Sequence, residues 1–257
     1  MSFSSLNLFL VITLVTVLVL IVEIVFSFSK KDGVYSSPGT AGNLFRGILM
    51  TLLSNKVTTF YFTYFGILYP ILGYDHKGLN LYSFFMCLFA VDFFYYILHL
   101  IKHRFCFFWT FHSVHHSDNK FNMSTYYRAS WIEHLYMPAI PLFLAILMGF
   151  NPQTIFLVSY SLFIYQFYCH SRYIKFPTIM EYIFITPQTH IVHHDQEIKH
   201  QNSNFGAMFS IWDRMFGTYT GRVYAITPGL KKYEQNNFIR MESDPIVKYL
   251  ESKFGDI

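Results

Sequence analysis

The chain has 257 residues, of which 53% are hydrophobic and only 13% are charged, too apolar a balance for an ordinary soluble domain of this size. Its formal net charge of +4 comes from Lys and Arg scattered beside apolar segments, with no basic stripe or RNA-binding motif, which excludes a nucleic-acid partner. Cys87, Cys106 and Cys169 are isolated, so neither a CxxC metal or redox site nor an even-numbered disulfide framework is expected.

In chain order, residues 8–28 are apolar apart from Glu23 and a few hydroxyl side chains, long enough to cross about 30 Å of hydrocarbon at roughly 1.5 Å per residue. The first seven residues carry no positive side chain and no small-residue cleavage site precedes Lys30-Lys31, so the segment reads as a retained anchor rather than a signal peptide. Further apolar segments follow at 57–73, 79–101, 137–150 and 153–168. The last two reach only about 21 to 24 Å, which suits a tilted pair or a hairpin that does not fully cross, with Asn151-Pro152 as the turn. The expected fold is all-α: a multi-pass membrane protein of four to five hydrophobic helices, forming one domain over 1–257. Lys30, Lys31, Arg46 and Lys56 lie between the first two segments, and Lys102, Arg104, Lys120 and Arg128 follow the third, whereas the intervening loop holds only Lys77. By the bias of Lys and Arg towards the cytoplasm, both basic loops face inward, in a bacterial inner membrane or the endoplasmic reticulum. The 30 Phe and 20 Tyr are expected mostly at lipid and interface, a few lining a substrate tunnel.

Three histidine clusters stand in this apolar background: His99 with His103, then His112, His115 and His116, then His190, His193 and His194. A helix brings positions i, i+3 and i+4 onto one face, so each cluster can point two or three imidazoles at a common point. Imidazole suits iron, copper, zinc and nickel, while magnesium and calcium prefer oxygen. Eight histidines exceed the needs of one ion, and the same topology puts every box on the cytoplasmic side, in a helical cap. Asp92, Tyr96, His99 and His103 form a single stripe along the third segment. A carboxylate in a membrane helix is costly, and Asp92 is expected to accept the distal N–H of a ligating histidine, the alternative being an interhelical hydrogen bond with no part in the chemistry. No HExxH protease helix occurs. Two-metal hydrolases usually bridge their ions with carboxylates, and none lies inside these boxes, which favours activation of O2 and attack on a lipid C–H bond. A metal transporter would spread its ligands through the depth of the spans, and a bis-histidine haem site would leave six histidines unused.

The ordered set of Asp92, Tyr96, His99, His103, His112, His115, His116, Arg128, Glu133, His170, Pro187, His190, His193, His194, then Asn204-Phe205-Gly206 and Trp212-Asp213-Arg214-Met215-Phe216-Gly217-Thr218, resembles the fatty acid hydroxylase superfamily, which includes sterol desaturases and lipid hydroxylases. The resemblance covers about 79–224. Residues 122–128, 165–170, 211–218 and 224–228 look most similar to its alkylglycerol monooxygenase branch. It implies two iron ions (Fe2+/Fe3+) on His99, His103, His112, His115, His116, His190, His193 and His194, with His170 as a ninth ligand, and outer partners among Asp92, Tyr96, Glu133, Asn204 and Asp213. It also implies O2 as oxidant, a lipid substrate such as an alkylglycerol ether lipid or, alternatively, a sterol or fatty-acyl chain that is hydroxylated or desaturated. With no Gly-rich nucleotide fingerprint, the electrons are expected from tetrahydrobiopterin, a ferredoxin or a cytochrome b5-type partner. Departures from the pattern are Leu100, Arg104, Asn202 and Phe205. His134 is off register for a ligand, and His76 and His200 read as solvated.

Overall fold

The structure, a computed structural model, describes residues 3–72, 80–137, 139–231 and 238–254. Helices α1 (Phe3–Lys30), α2 (Ser37–Ile71) and α3 (Leu81–Arg104) are long; α4 (Cys106–His116), α5 (Trp131–Tyr136) and α6 (Ala139–Leu147) are short; α7 (Pro152–Cys169) is followed by α8 (Pro187–His193), α9 (Ile198–Gln201), α10 (Ile211–Met215) and α11 (Phe238–Phe254). Among the described residues there is no strand, only two isolated antiparallel bridges, Phe184 with Phe209 and Asp195 with Pro228.

Only α1 (from Phe9) and α3 are, among the described residues, long and apolar enough to cross a membrane. Most of the apolar surface of α1 is exposed, since 17% of its apolar window is buried, and a helix of that kind is stable where the surroundings are themselves apolar. The hairpin expected at 137–168 is present, with Asn151 accepting from the Gln153 N–H at 2.8 Å and Pro152 in the first turn of α7. Its first arm differs from expectation. A helix starts at Trp131, capped by Ser130, and α6 has 9 residues, too few to cross at roughly 1.5 Å per residue.

A larger departure concerns α2, which begins at Ser37 rather than near residue 57. Hydropathy misses its start because the inward stripe there is polar: Thr40, Asn43 and Arg46 are buried at helical spacing ahead of Met50, and Gly47 sits so close that a Cβ there would lie 2.6 Å from the Tyr127 ring. Arg46 donates to the Ala129 carbonyl and pairs with Glu242 of α11. Arg46, Lys102 and Arg128 are therefore buried partners, each at most 3% exposed, not loop charges; exposed Lys30, Lys31, Arg104 and Lys120 remain at this end of the bundle.

Contacts fix the helix directions. Phe9 and Thr13 of α1 meet Tyr160, Thr16 meets Tyr168 and Glu23 meets Ser171, so α1 and α7 run in parallel. Tyr69 near the end of α2 reaches the Gly149 carbonyl, whereas Asn43 near its start meets Asp118. Helices α1, α3 and α7 thus arrive at the end from which α2 and α6 depart, and every described histidine box lies there. The core between α3, α6 and α7 is built from Cys87, Leu88, Val91, Leu142, Ala145, Ile155, Val158 and Leu162.

The stripe on α3 is real, but Asp92 does something other than expected. It touches no histidine; it accepts the N–H groups of Met208 (2.7 Å) and Phe209 (3.3 Å) and the Trp212 indole N–H (2.8 Å). It clamps the loop that enters α10. Removing a buried acceptor strands its donors, so Asp92→Ala should cost about 3 kcal/mol or more, read as an earlier thermal transition in detergent, with a smaller loss for Asp92→Asn.

Candidate metal centre

Local sequence positions each imidazole. Asp92 and Asp213 hold the 205–213 loop against α3, Asp213 accepting from the N–H groups of Phe205 and Gly206, both at 2.8 Å, and from Thr218 at 2.6 Å. A Cβ at Gly206 would meet the Phe209 carbonyl oxygen at 2.2 Å, so only glycine lets this loop close. Helix α8 starts with Pro187 in its first turn and a reciprocal capping box between Thr186 and Thr189. Asn204, left-handed at φ 57°, donates to the carbonyls of Thr189 and Thr220 and so ties α8 to the segment after α10.

The nine histidines resolve into two groups whose candidate ligand atoms lie within 4.8 Å of one another: His99, His103, His112, His116 and His193 in one, His115, His170, His190 and His194 in the other. The repeated HxxHH motif accounts for the division. On α4 the i, i+4 pair His112 and His116 serves the first group while His115 serves the second. On α8 the pair His190 and His194 serves the second while His193 crosses to the first. Helix α3 completes one group, and the end of α7 completes the other.

Hydrogen bonds on the outer side decide what the inner nitrogens can do. Nδ1 of His99 lies 2.9 Å from the Phe205 carbonyl, that of His115 3.2 Å from Arg128 O, that of His170 2.8 Å from Gln166 O and that of His193 2.7 Å from Ser203 O. His112 Nδ1 lies 2.9 Å from a Glu133 carboxylate oxygen. A carbonyl only accepts, so Nδ1 carries the proton and, in the neutral ring, Nε2 presents a lone pair. Two such lone pairs face each other at 3.1 Å between His99 and His112, and at 3.3 Å between His115 and His170. Imidazoles bound side by side to one ion at about 2.0–2.1 Å stand roughly 3.0–3.4 Å apart. Further buried nitrogens have no hydrogen-bond partner among the described residues: His103 Nε2, His193 Nε2, His190 Nδ1 and both ring nitrogens of His116 and His194. Orphaned buried polar atoms in this number call for an ion, and the all-nitrogen set fits iron or another first-row transition metal. Burial first, then the neighbouring imidazoles, holds His115, His116, His190 and His194 well below the ordinary imidazole value, leaving them neutral and ready to ligate at pH 7.

Of the outer partners expected from sequence, Glu133 contacts a histidine directly. Burial opposes its charge, but the Lys102 ammonium at 2.7 Å and His112 outweigh that and hold its carboxyl well below the usual carboxylate range. Lys102 was not legible as a site residue, since its position beside His103 suggested a flanking charge. Asp213 acts through a peptide: it binds the Gly206 N–H of the same amide whose carbonyl orients His99. Tyr96 bonds to Thr218 Oγ1 at 3.1 Å and Asn204 acts on α8, so neither reaches an imidazole. His134 stands outside both groups. His200 is not solvated as expected: its side chain is 12% exposed and held by Asp195 at 2.6 Å. His76 lies outside the described residues.

A cavity of about 410 Å³ is lined by five histidines drawn from both groups, His99, His112, His115, His170 and His190. Its wall is mostly apolar and aromatic, including Met50, Tyr95, Tyr126, Leu142, Phe156 and Phe163, with Lys102 and Glu133 beside the imidazoles.

The family model described as fatty acid hydroxylase matches residues 84–218, more than half of the chain. The chain belongs to the fatty acid hydroxylase family. Within the family its similarity runs to alkylglycerol monooxygenases: 37% identity over 134 residues to that of Caenorhabditis elegans (52% of this chain, 26% of that one) and 28% over 233 residues to that of Danio rerio (84% and 49%). The ornithine lipid hydroxylase OlsE of Rhizobium tropici is 29% identical over 127 residues, 48% of this chain and 38% of that one. The chain spans about half or less of the length of these relatives. No solved structure matches. The family match contains every member of both histidine groups and leaves α1 and α2 outside it.

For this hydroxylase-family centre, His193→Ala should weaken metal retention by the five-imidazole group and His115→Ala that by the four-imidazole group, the second by more because fewer ligands remain; metal analysis after ferrous loading and dialysis checks both. Glu133→Gln should weaken metal retention about 10- to 100-fold, measured by dialysis against a chelator.

Proposed function

We propose that this protein is an integral membrane monooxygenase that uses O2, two electrons and two iron ions to hydroxylate a lipid C–H bond, with an alkylglycerol-type ether lipid as substrate. The observation that carries this reading is that two adjoining all-imidazole groups both contribute to the wall of one mostly apolar cavity. The overall balance is R–H + O2 + 2 e⁻ + 2 H⁺ → R–OH + H2O. Iron, when bound, supplies the oxidising power for C–H cleavage. The chain supplies neutral ligands, fixed by outward hydrogen bonds, and a wall that excludes water while holding a long apolar chain. Because histidines of both groups line the cavity, a chain bound there lies beside both.

The names of the relatives support the substrate class: alkylglycerol monooxygenases match over as much as 84% of this chain, and an ornithine lipid hydroxylase and a human cholesterol 25-hydroxylase match over 48% and 51% of it. We place α1 and α3 across the bilayer, with α2, α6 and α7 completing a multi-pass bundle. The exposed Lys30, Lys31, Arg104 and Lys120 at the histidine-bearing end favour a cytoplasm-facing site. Electrons come from outside the chain, from tetrahydrobiopterin, a ferredoxin or a cytochrome b5-type protein. Histidines gathered at one end of the bundle argue against metal transport, which needs ligands along a path.

Anaerobic reconstitution with ferrous iron, followed by O2 uptake with a reductant and an alkylglycerol, tests the proposal. Two irons per chain and uptake that depends on the lipid are the expected result. One metal or none would overturn the two-iron centre, and two irons with uptake only for a sterol or fatty acid would overturn the ether-lipid assignment.

A further inference from the structure

Glu23 is the one charged residue in the apolar stretch from Phe9 to Ser29 of α1, and it is 5% exposed on a helix whose flanks face outward. An ionisable side chain in such a segment is expensive and is retained for a purpose. One carboxylate oxygen accepts the Tyr35 hydroxyl at 2.9 Å, and the other accepts the Ser171 hydroxyl. Ser171 follows His170 directly. Its oxygen in turn accepts the N–H groups of Tyr173 (3.1 Å) and Ile174 (2.9 Å), which sets the turn after α7.

The turn between α1 and α2 reaches the other side of the same imidazole. The Val34 carbonyl accepts from Asn122 at 2.9 Å, and the neighbouring Phe121, left-handed at φ 41°, stacks on the His170 ring with centroids 5.3 Å apart. Leu20, Tyr35, Met123 and Phe167 fill the space between. In its group His115 lies on α4, His190 on α8 and His194 at the C-cap of α8, whereas His170 alone comes from α7, at its C-cap with φ −86° and ψ 1°.

We propose that α1 and its turn are a positioning device for His170, and that Glu23 is the positioning residue that lets the four-imidazole group hold its ion. This rests on the two-ion reading above. The anchor helix then doubles as an outer support of the metal centre, though it lies outside the family match.

The test is ferrous iron binding by anaerobic equilibrium dialysis of full-length protein in detergent, for wild type, Glu23→Gln, Tyr35→Phe and Thr13→Val. Wild type should hold two irons. Glu23→Gln should hold one tightly and bind the second at least about 10-fold more weakly, as loss of an outer support does. Adding His193→Ala to Glu23→Gln should weaken the tight iron too, and adding His170→Ala should leave it tight. Tyr35→Phe, which deletes one hydroxyl, should weaken the same iron by less. Thr13→Val breaks an α1–α7 contact far from Ser171 and should keep both irons, which separates positioning from general docking of α1. Two irons at wild-type affinity in Glu23→Gln would overturn the proposal, as would equal loss of both irons in Glu23→Gln and Thr13→Val. Fewer than two irons in wild type would overturn the two-ion reading and the proposal with it, a result seen without any variant.

Discussion

Everything in this molecule is arranged around one electrostatic constraint: a set of imidazole lone pairs, buried and turned towards each other, is unstable without a cation among them. His99 facing His112 at 3.1 Å and His115 facing His170 at 3.3 Å are repulsive contacts between neutral rings and bonding distances around an ion. Five of the nine rings are held from behind against that repulsion. Four backbone carbonyls and the Glu133 carboxylate hold them, and each of those acceptors is fixed by a separate piece of structure. The Phe205 carbonyl depends on Asp213 and on a glycine at 206, and the loop that carries it depends on Asp92. The fold can be read as the scaffolding for five hydrogen bonds.

That dependence explains which parts were legible in the sequence. The HxxHH spacing on α4 and α8 is a property of the helix, so the histidines and their convergence could be read directly, and the nine expected ligands are the nine that meet. Their division into five and four could not be read, because it turns on how two short helices cross. The carbonyl acceptors leave no trace in residue identity. Asp92 was recognised as functional for a sound reason, a buried carboxylate on the histidine stripe, but its partners come from residues 208–212, more than a hundred positions away. Lys102 and Arg46 were misread by the same habit: a cation near a membrane helix looks like a flanking charge unless its partner, Glu133 or Glu242, is known.

Helix α2 shows the same limit at the level of the fold. Its apolar C-terminal half was found by hydropathy, while its N-terminal half, with Thr40, Asn43 and Arg46 turned inward, was taken for a loop. Polar residues at helical spacing are as periodic as apolar ones. What identifies them as a buried face is the presence of partners such as Asp118, Ser124 and Ala129 on another element.

The two imidazole groups differ in their outer partners, and the difference has a chemical consequence. The five-membered group leans on an anion, since Glu133 meets His112 and is kept ionised by Lys102. The four-membered group has neutral supports, carbonyls behind His115 and His170. A carboxylate behind an imidazole raises its basicity and strengthens its bond to a metal, whereas a carbonyl does so less. One site is thus the richer in ligands and in electron density, and the other the more open to an added ligand. Three of the four histidines of the weaker group line the cavity, against two of five in the stronger one. In the two-ion reading proposed above, the less saturated position is therefore the one with the larger share of its imidazoles on the cavity wall.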